Sequence, residues 1–337
     1  MKWSSLFSKT RLGREGRESS TLTRTEFQRD QDRIVFSSAF RRLQNKTQVV
    51  PLPDSDYVRN RLTHSMETAS VGRSLATVVG SALIKENTDL FHELDIHESD
   101  FGAVVSAACL AHDLGNPPFG HSGEDAISAY FRDGRGQSYL EHCSSAQIAD
   151  LQNFEGNASG FRLLTANLEG QTELEGGLGL TYSTLATFSK YPKQSIPNLK
   201  KDGRASGKKY GFFQTEKEIF KKVASRLQLK EKEYSYSWYR HPLSFLLEAS
   251  DDICYHIIDF EDGYNLGIIS FDLIESLYIQ LLGKDWSNIE ARYKRVLSEQ
   301  SKISYLRSVV INKLIRSCSA VFLENETAIL DASFDKP

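Results

Sequence analysis

CLAHDLGNPPFGHSGEDAI, residues 109–127, puts a His-Asp pair at the end of an apolar run, breaks it with a Gly/Pro loop, and restarts with a second His and an acid. His112 and Asp113 are neighbours, so on a regular helix their side chains diverge by about 100°. At a helix end both can still turn toward one ion. Gly115, Pro117, Pro118 and Gly120 form the tight stop. SGEDA (122–126) then reads as a new helix start, with Ser122 as N-cap and acids in the first turn.

Working outward, Ala103, Val104, Ala107, Ala108, Leu110 and Ala111 make Asp100–Asp113 a small-residue apolar helix, the kind buried on most sides. Before it, Leu62, Met66, Ala69, Leu75 and Val79 repeat at helical spacing over residues 62–83, and Phe27, Ile34, Phe36, Phe40 and Leu43 over 27–43. VVPLPDSDYVRN (49–60) reads as a loop or short hairpin. The Gly-rich stretch 168–192 and the Lys-rich stretch 193–211 are the least regular, and helical pattern resumes from Glu216 to about Leu323. Strand alternation is scarce, so the class is all-α, mostly helical with minor β elements. Residues 1–24, with Arg11, Arg14, Arg17 and Arg24, read as a flexible basic arm ahead of one helical domain over 25–337.

The bulk numbers set bounds. Of 337 residues 40% are hydrophobic and 25% charged, enough to bury a substantial core. A net charge of −3 gives no bulk attraction for polyanions, so phosphate binding must come from local clusters. Four scattered cysteines without a CxxC pair argue against a zinc ribbon or disulfide framework and fit a reducing cytoplasm. No secretion-like leader and no apolar run of about 18 residues is present, so no membrane span is expected.

The candidate metal set combines His112 and Asp113 with two distant residues, His64 in RNRLTHSMETAS and Asp251 in LLEASDDICYHIIDF. One imidazole, an imidazole-carboxylate pair and a remote carboxylate suit one divalent ion that must also hold water and phosphate oxygen. Each residue alone is as well explained as a core or edge group; burying all of them without a metal would cost several kcal/mol. Asp251, Tyr255 and Asp259 are spaced i, i+4, i+8 on one helical face. His121 and Glu124, three apart, form an imidazole-carboxylate pair fit for proton transfer or for attack on phosphorus. Arg41, Arg42, Lys46, Arg59 and Arg61 crowd the first His, and Arg61, three residues before His64, is placed to grip a phosphate. Lys200, Lys201, Arg204, Lys208 and Lys209 could add charge for a longer polyphosphate. Neither a P-loop nor GxGxxG occurs.

Six co-linear stretches carry a resemblance: RTEFQRDQDRIVFSSAFRRLQNKTQVV (24–50), RNRLTHSMETASVGRSLA (59–76), AACLAHDLGNPPFGHSGEDAI (107–127), NFEGNASGFRLL (153–164), KYGFFQTE (209–216) and LEASDDICYHIIDFEDG (247–263). Together they resemble the deoxyguanosinetriphosphate triphosphohydrolase family of the HD-domain superfamily. The resemblance implies an all-α fold and hydrolysis of a deoxynucleoside triphosphate, most of all dGTP, to deoxynucleoside and tripolyphosphate. It implies one divalent cation, Mn²⁺ or Mg²⁺, on His64, His112, Asp113 and Asp251, choosing Asp251 over Asp252 because Tyr255 and Asp259 then match substrate-lining positions. His121 and Glu124 become the catalytic pair, Arg61 a phosphate contact, and Tyr255 the residue that disfavours a 2′-hydroxyl. Gln48, Asn116 and Asn157 are carried over as base, sugar or phosphate contacts. The resemblance also implies a homo-oligomer, dimer or hexamer, with single-stranded DNA or an allosteric nucleotide as further partners. Family members usually run on past the position where this chain stops, so a pocket less complete than the metal site is an expectation. Alternatives are a broad-specificity HD phosphohydrolase, or a catalytically impaired protein that senses dNTPs or binds single-stranded DNA.

Overall fold

The computed structural model describes residues 1–16, 23–49, 58–167, 176–196 and 205–334. Its helices run α1 (Trp3–Leu6), α2 (Glu26–Val35), α3 (Ser38–Arg42), α4 (Arg61–Glu86), α5 (Thr88–Glu93), α6 (Glu98–Ala111), α7 (His121–Arg132) and α8 (Ser145–Gln152). They continue α9 (Gly156–Thr165), α10 (Tyr182–Phe188), α11 (Lys217–Arg226), α12 (Leu243–Asn265), α13 (Phe271–Leu282), α14 (Trp286–Tyr293), α15 (Glu299–Glu324) and α16 (Glu326–Leu330). Among the described residues β structure is limited to isolated bridges such as Arg11 with Thr181 and Thr47 with Asn60, so the class is all-α. No helix among them is long and apolar enough to cross a membrane.

α6 is the central element: every residue from Asp100 to Ala111 is buried. Its small side chains let α4 lie close along it. The approach is tightest at Gly72, where a Cβ would come 2.6 Å from Cys109 Sγ. α4 starts at a capping box, in which Asn60 accepts from the Thr63 N–H and Thr63 from the Asn60 N–H. α12 packs on α4 and α6, while α15 packs on α4 and carries α13. A second apolar cluster, including Ile274, Tyr278, Ile303 and Leu306, joins α13–α15 to the later turns of α12. The ends of α4, α6 and α12 that bear His64, His112 and Asp251 thereby meet.

Two expectations are corrected. Residues 1–16 are not an arm: Trp3, Leu6, Phe7 and Leu12 are buried in the main core, with Phe7 and Phe101 ring centroids 4.5 Å apart. The Met1 ammonium donates to the Leu330 carbonyl at 2.5 Å, and Trp3 Nε1 to Glu326 at 2.6 Å. The apolar trio at 3, 6 and 7 stands among polar and basic residues, so the stretch as a whole reads as polar. Residues 17–22 lie outside the described residues. The stretch 168–192, read as irregular, contains α10, all seven residues of which are buried. Its Ser and Thr side chains are satisfied internally, as when Ser183 Oγ donates to the Leu6 carbonyl at 2.9 Å, so no amphipathic stripe announces it. Residues 50–57, most of the 49–60 loop, and Lys200, Lys201 and Arg204 lie outside the described residues.

Candidate active site

His64 sits one turn into α4 and is 2% exposed; His112 forms the C-cap of α6; Asp251 comes from the third turn of α12. Their ligand atoms lie within 4.8 Å of one another. His64 Nε2 is 3.1 Å and His112 Nε2 3.4 Å from the same oxygen, Asp251 Oδ1. The His112 Nδ1–H donates to the Cys109 carbonyl at 2.6 Å, which turns Nε2 toward the cluster. Asp113 joins from the side, Oδ1 lying 3.5 Å from His112 Nε2 and accepting from Asn116 Nδ2 at 2.5 Å.

The residues fit a divalent cation. Two imidazole nitrogens and the Asp251 carboxylate converge, with Asp113 beside them, a mixed N/O donor set suited to a borderline or hard ion. Asp113 Oδ2 is buried and accepts no hydrogen bond: Arg61 Nη1 lies 2.8 Å away, close enough for an ion pair, but its direction is wrong for a hydrogen bond. Arg61 Nε is likewise buried without a partner. Buried polar atoms with unmet capacity call for a partner, and these two adjoin the converging donors and the space beside them.

Charge in the cluster is strongly coupled. Burial alone would raise the Asp251 pKa, but Lys190 and His112 beside it hold the carboxyl well below its ordinary value. Burial would lower that of His112, yet Asp113 and Asp251 raise it above the usual imidazole range. Asp113 is held low against burial by His112, Arg61 and His64. A cation bound here would displace the His112 proton, so its affinity should climb with pH.

Beside the cluster opens a cavity of about 510 Å³, lined by all four candidate ligands and by Arg61, His121, Glu124 and Tyr255. Gln48, Asn116 and Asn157 also line it; Asp259, Arg41, Arg42 and Arg59 do not. Asp259 stands farther along α12, where burial pushes its carboxyl up to about 6. α7 begins at His121 rather than after Ser122: its N-cap is Gly120 with φ +54°, a conformation glycine adopts without strain. A Cβ at Gly120 would also stand 2.9 Å from Arg61 Nη2. The His121 side chain is 84% exposed to the cavity mouth, and its Nδ1–H donates to Glu124 Oε2 at 2.8 Å. Glu124 is buried and its other oxygen accepts the Gly156 N–H at 2.7 Å, so the carboxylate is fixed and sets the tautomer of the imidazole.

The sequence reading missed Lys190. Its ammonium lies 2.5 Å from Asp251 Oδ2 and lines the cavity with Tyr191. Burial opposes the charge, but Asp251 keeps the amine above its ordinary range. The only signal was one lysine between the apolar run of α10 and Pro192. Glu155 was also missed. It pairs with Lys209 at 3.2 Å, and burial with help from Glu124 pushes its carboxyl up to about 7. Lys209 does enter the cavity, whereas Lys46 serves the loop, donating to the Leu114 and Asn116 carbonyls.

Residues 61–150 match the family model for the HD domain. The chain is 44% identical to a deoxyguanosinetriphosphate triphosphohydrolase-like protein of Synechocystis sp., covering 100% of this chain and 75% of that protein. It is 40% identical to one of Pseudomonas aeruginosa, over 98% of this chain and 72% of the relative. A deoxyguanosinetriphosphate triphosphohydrolase of Yersinia pestis is 32% identical over 92% of this chain and 66% of its own length. An all-α frame with His112-Asp113 at the end of its central helix defines a hydrolase of the HD superfamily. Within it, the chain belongs to the deoxyguanosinetriphosphate triphosphohydrolase family.

Proposed function

We propose that this chain hydrolyses a deoxynucleoside triphosphate, dGTP first among them, in a reaction that depends on Mn²⁺ or Mg²⁺ and releases deoxynucleoside and inorganic tripolyphosphate. The observation that carries the reading is the convergence of His64, His112 and Asp251 within 4.8 Å in the same cavity as the His121–Glu124 pair. The cation, held by His64, His112, Asp113 and Asp251, would supply Lewis-acid stabilisation of charge at the α-phosphate.

The chain's own groups do the rest. Arg61, Lys190 and Lys209 offset the charge of the polyphosphate inside a partly closed cavity, where each cation acts in a lower dielectric than water. Asn116 holds Asp113 in place. Water adds to the α-phosphorus and the bond from phosphorus to the 5′-oxygen breaks. His121, its Nδ1–H held by Glu124, accepts at Nε2 the proton that the water gives up and passes it to that oxygen as it leaves. Tyr255 packs against the 2′-position and selects deoxyribose by steric exclusion, with Gln48 and Asn157 as further contacts to the nucleotide. The same reading carries a homo-oligomer that works in the cytoplasm, the first of which light scattering checks.

Incubation with each dNTP and with GTP, in Mn²⁺ or Mg²⁺, followed by anion exchange, tests the proposal. Tripolyphosphate from a dNTP but not from GTP is the expected result, with dGTP consumed fastest. Pyrophosphate or monophosphate as the product would overturn the site of cleavage. Equal turnover of all dNTPs would leave hydrolysis standing and remove the preference for dGTP. No product from any nucleotide despite bound metal would overturn the enzymatic reading.

A further inference from the structure

Arg59 precedes the Asn60 cap of α4 and lines no part of the cavity, yet its side chain holds carboxylates on two helices. Its Nε donates to both oxygens of Glu67 at 3.0 Å, its Nη2 to Glu261 Oε2 at 2.6 Å, and its Nη1 to Asp262 Oδ1. Its backbone N–H donates to Asp262 Oδ2 at 3.2 Å. Glu67 belongs to α4, Glu261 and Asp262 to α12. Arg307 of α15 donates to the same Glu261 oxygen, which ties a third helix to the knot.

Two of the three closest cation donors, His64 and Asp251, stand on α4 and α12, and nothing covalent sets their spacing. Binding a small cation requires donors placed to within about 0.5 Å. The Asn60 cap, whose Oδ1 accepts from the Thr63 N–H at 3.0 Å, joins Arg59 stiffly to the turn that carries Arg61 and His64. A planar guanidinium with five fixed donors can hold carboxylates on two helices at once; an ammonium keeps the charge but not the fork. From this geometry we propose that Arg59 is a positioning residue: by locking the first turn of α4 to α12, it fixes the spacing of His64 and Asp251 and the aim of Arg61. The role rests on the metal-dependent reading above.

The test is Mn²⁺ titration calorimetry on the parent chain and on Arg59→Gln, Arg59→Lys and Asp262→Asn, with kcat and KM for dGTP measured at saturating Mn²⁺. Thermal melts identify the folded variants. Arg59→Gln is expected to weaken Mn²⁺ binding by about 10–100-fold, as loss of a supporting contact does at metal sites. Arg59→Lys should fall between parent and Gln, and Asp262→Asn should weaken binding in the same direction. At saturating Mn²⁺, kcat should fall more than KM rises. A residue that only stabilises the fold would lower the melting temperature and leave Mn²⁺ affinity alone. If Arg59→Gln does not fold, the Lys and Asn variants decide. Mn²⁺ affinity within twofold of the parent in every folded variant overturns the role of Arg59 while the metal site stands. No Mn²⁺ binding by the parent itself overturns the metal reading, and the positioning role with it.

Discussion

Arg11 and the His64–His112–Asp251 cluster are both buried concentrations of charge, and they use their bonding capacity in opposite ways. Arg11 Nη1 donates to Asp30 Oδ1 at 2.6 Å and to the Gly179 carbonyl at 2.7 Å, Nη2 to the Glu26 carbonyl at 2.6 Å, and Nε to the Glu26 carboxylate. Asp30 in turn accepts from the Thr181 hydroxyl at 2.6 Å. In the other cluster Asp113 Oδ2 and Arg61 Nε have no hydrogen-bond partner, two imidazoles share one carboxylate oxygen, and all of it faces a cavity. Saturated buried charge holds a fold together, whereas unsaturated buried charge beside a cavity is kept for something that arrives from outside.

The sharpest way to break this contrast is to remove one member of the unsaturated cluster. Asp251→Ala should lose metal and turnover together, the largest functional effect available here, with metal content measured by atomic absorption on the purified chain. Unchanged metal content would move the assignment to Asp252. His121→Ala should cost about 10²–10⁴-fold in kcat, the range of a lost proton-transfer group, with Mn²⁺ affinity intact. Turnover at the parent rate would remove His121 from the chemistry.

Arg11→Gln makes the opposite cut. It takes the ion-pair partner from Asp30 and leaves Glu26 with Arg29, and loss of one partner from a buried pair costs about 3–5 kcal/mol. Urea unfolding should show that loss, while the protein that remains folded binds Mn²⁺ as the parent does. A shift in Mn²⁺ affinity would mean that the two clusters are coupled, and the division drawn above would fail.

A third buried group sharpens the contrast through pH. His241 is saturated in its neutral form: Nε2–H donates to the Leu6 carbonyl at 3.2 Å, and Nδ1 accepts from the Leu243 N–H and faces the Thr187 hydroxyl, each at 3.2 Å. Burial pushes its pKa down to about 4, against the hydrogen bond to Leu6. An unfolded imidazole titrates near 6.5. Below that value the unfolded chain takes up a proton that the native chain refuses, so stability falls as pH drops toward 4 and is untouched well above 6.5. The full loss is about 3 kcal/mol. Urea midpoints at pH 7, 5.5 and 4.5 measure it, and His241→Asn should remove that part of the slope.

Legibility in the sequence followed the same division. The unsaturated site was readable because His112-Asp113 and His121–Glu124 are polar groups set in apolar or Gly/Pro surroundings, where a pattern is interrupted. The helix bearing Asp251 and Tyr255 followed from 3.6-residue spacing, whereas the choice of Asp251 over Asp252 rested on the family resemblance. Saturated polar residues were not readable. Arg11 looked like part of a solvated arm, and α10 like a loop, because partners such as Asp30 and Leu6 lie far off in sequence. Lys190 was missed for the same reason: a lone lysine shows its role only once Asp251 is beside it. Arg59 was counted with the bases around His64 because its neighbours in sequence are basic, while its neighbours in space are acids.

The smallest expected effect tests the rim, where neither kind of cluster operates. Tyr255 is 49% exposed, one turn past Asp251 on α12, with its ring against that of His256 at 5.4 Å. It contributes little to the core, so Tyr255→Ala should leave the melting temperature in place. If the ring excludes a 2′-hydroxyl, its removal should narrow the dGTP-over-GTP ratio of kcat/KM by roughly tenfold, the scale of a single steric contact. The change should appear as a gain with GTP, because on the proposed mechanism the cation and His121 would act on atoms that both nucleotides share. A ratio that stays put would assign sugar selection to another part of the cavity wall and leave Tyr255 as a surface residue with no share in the chemistry.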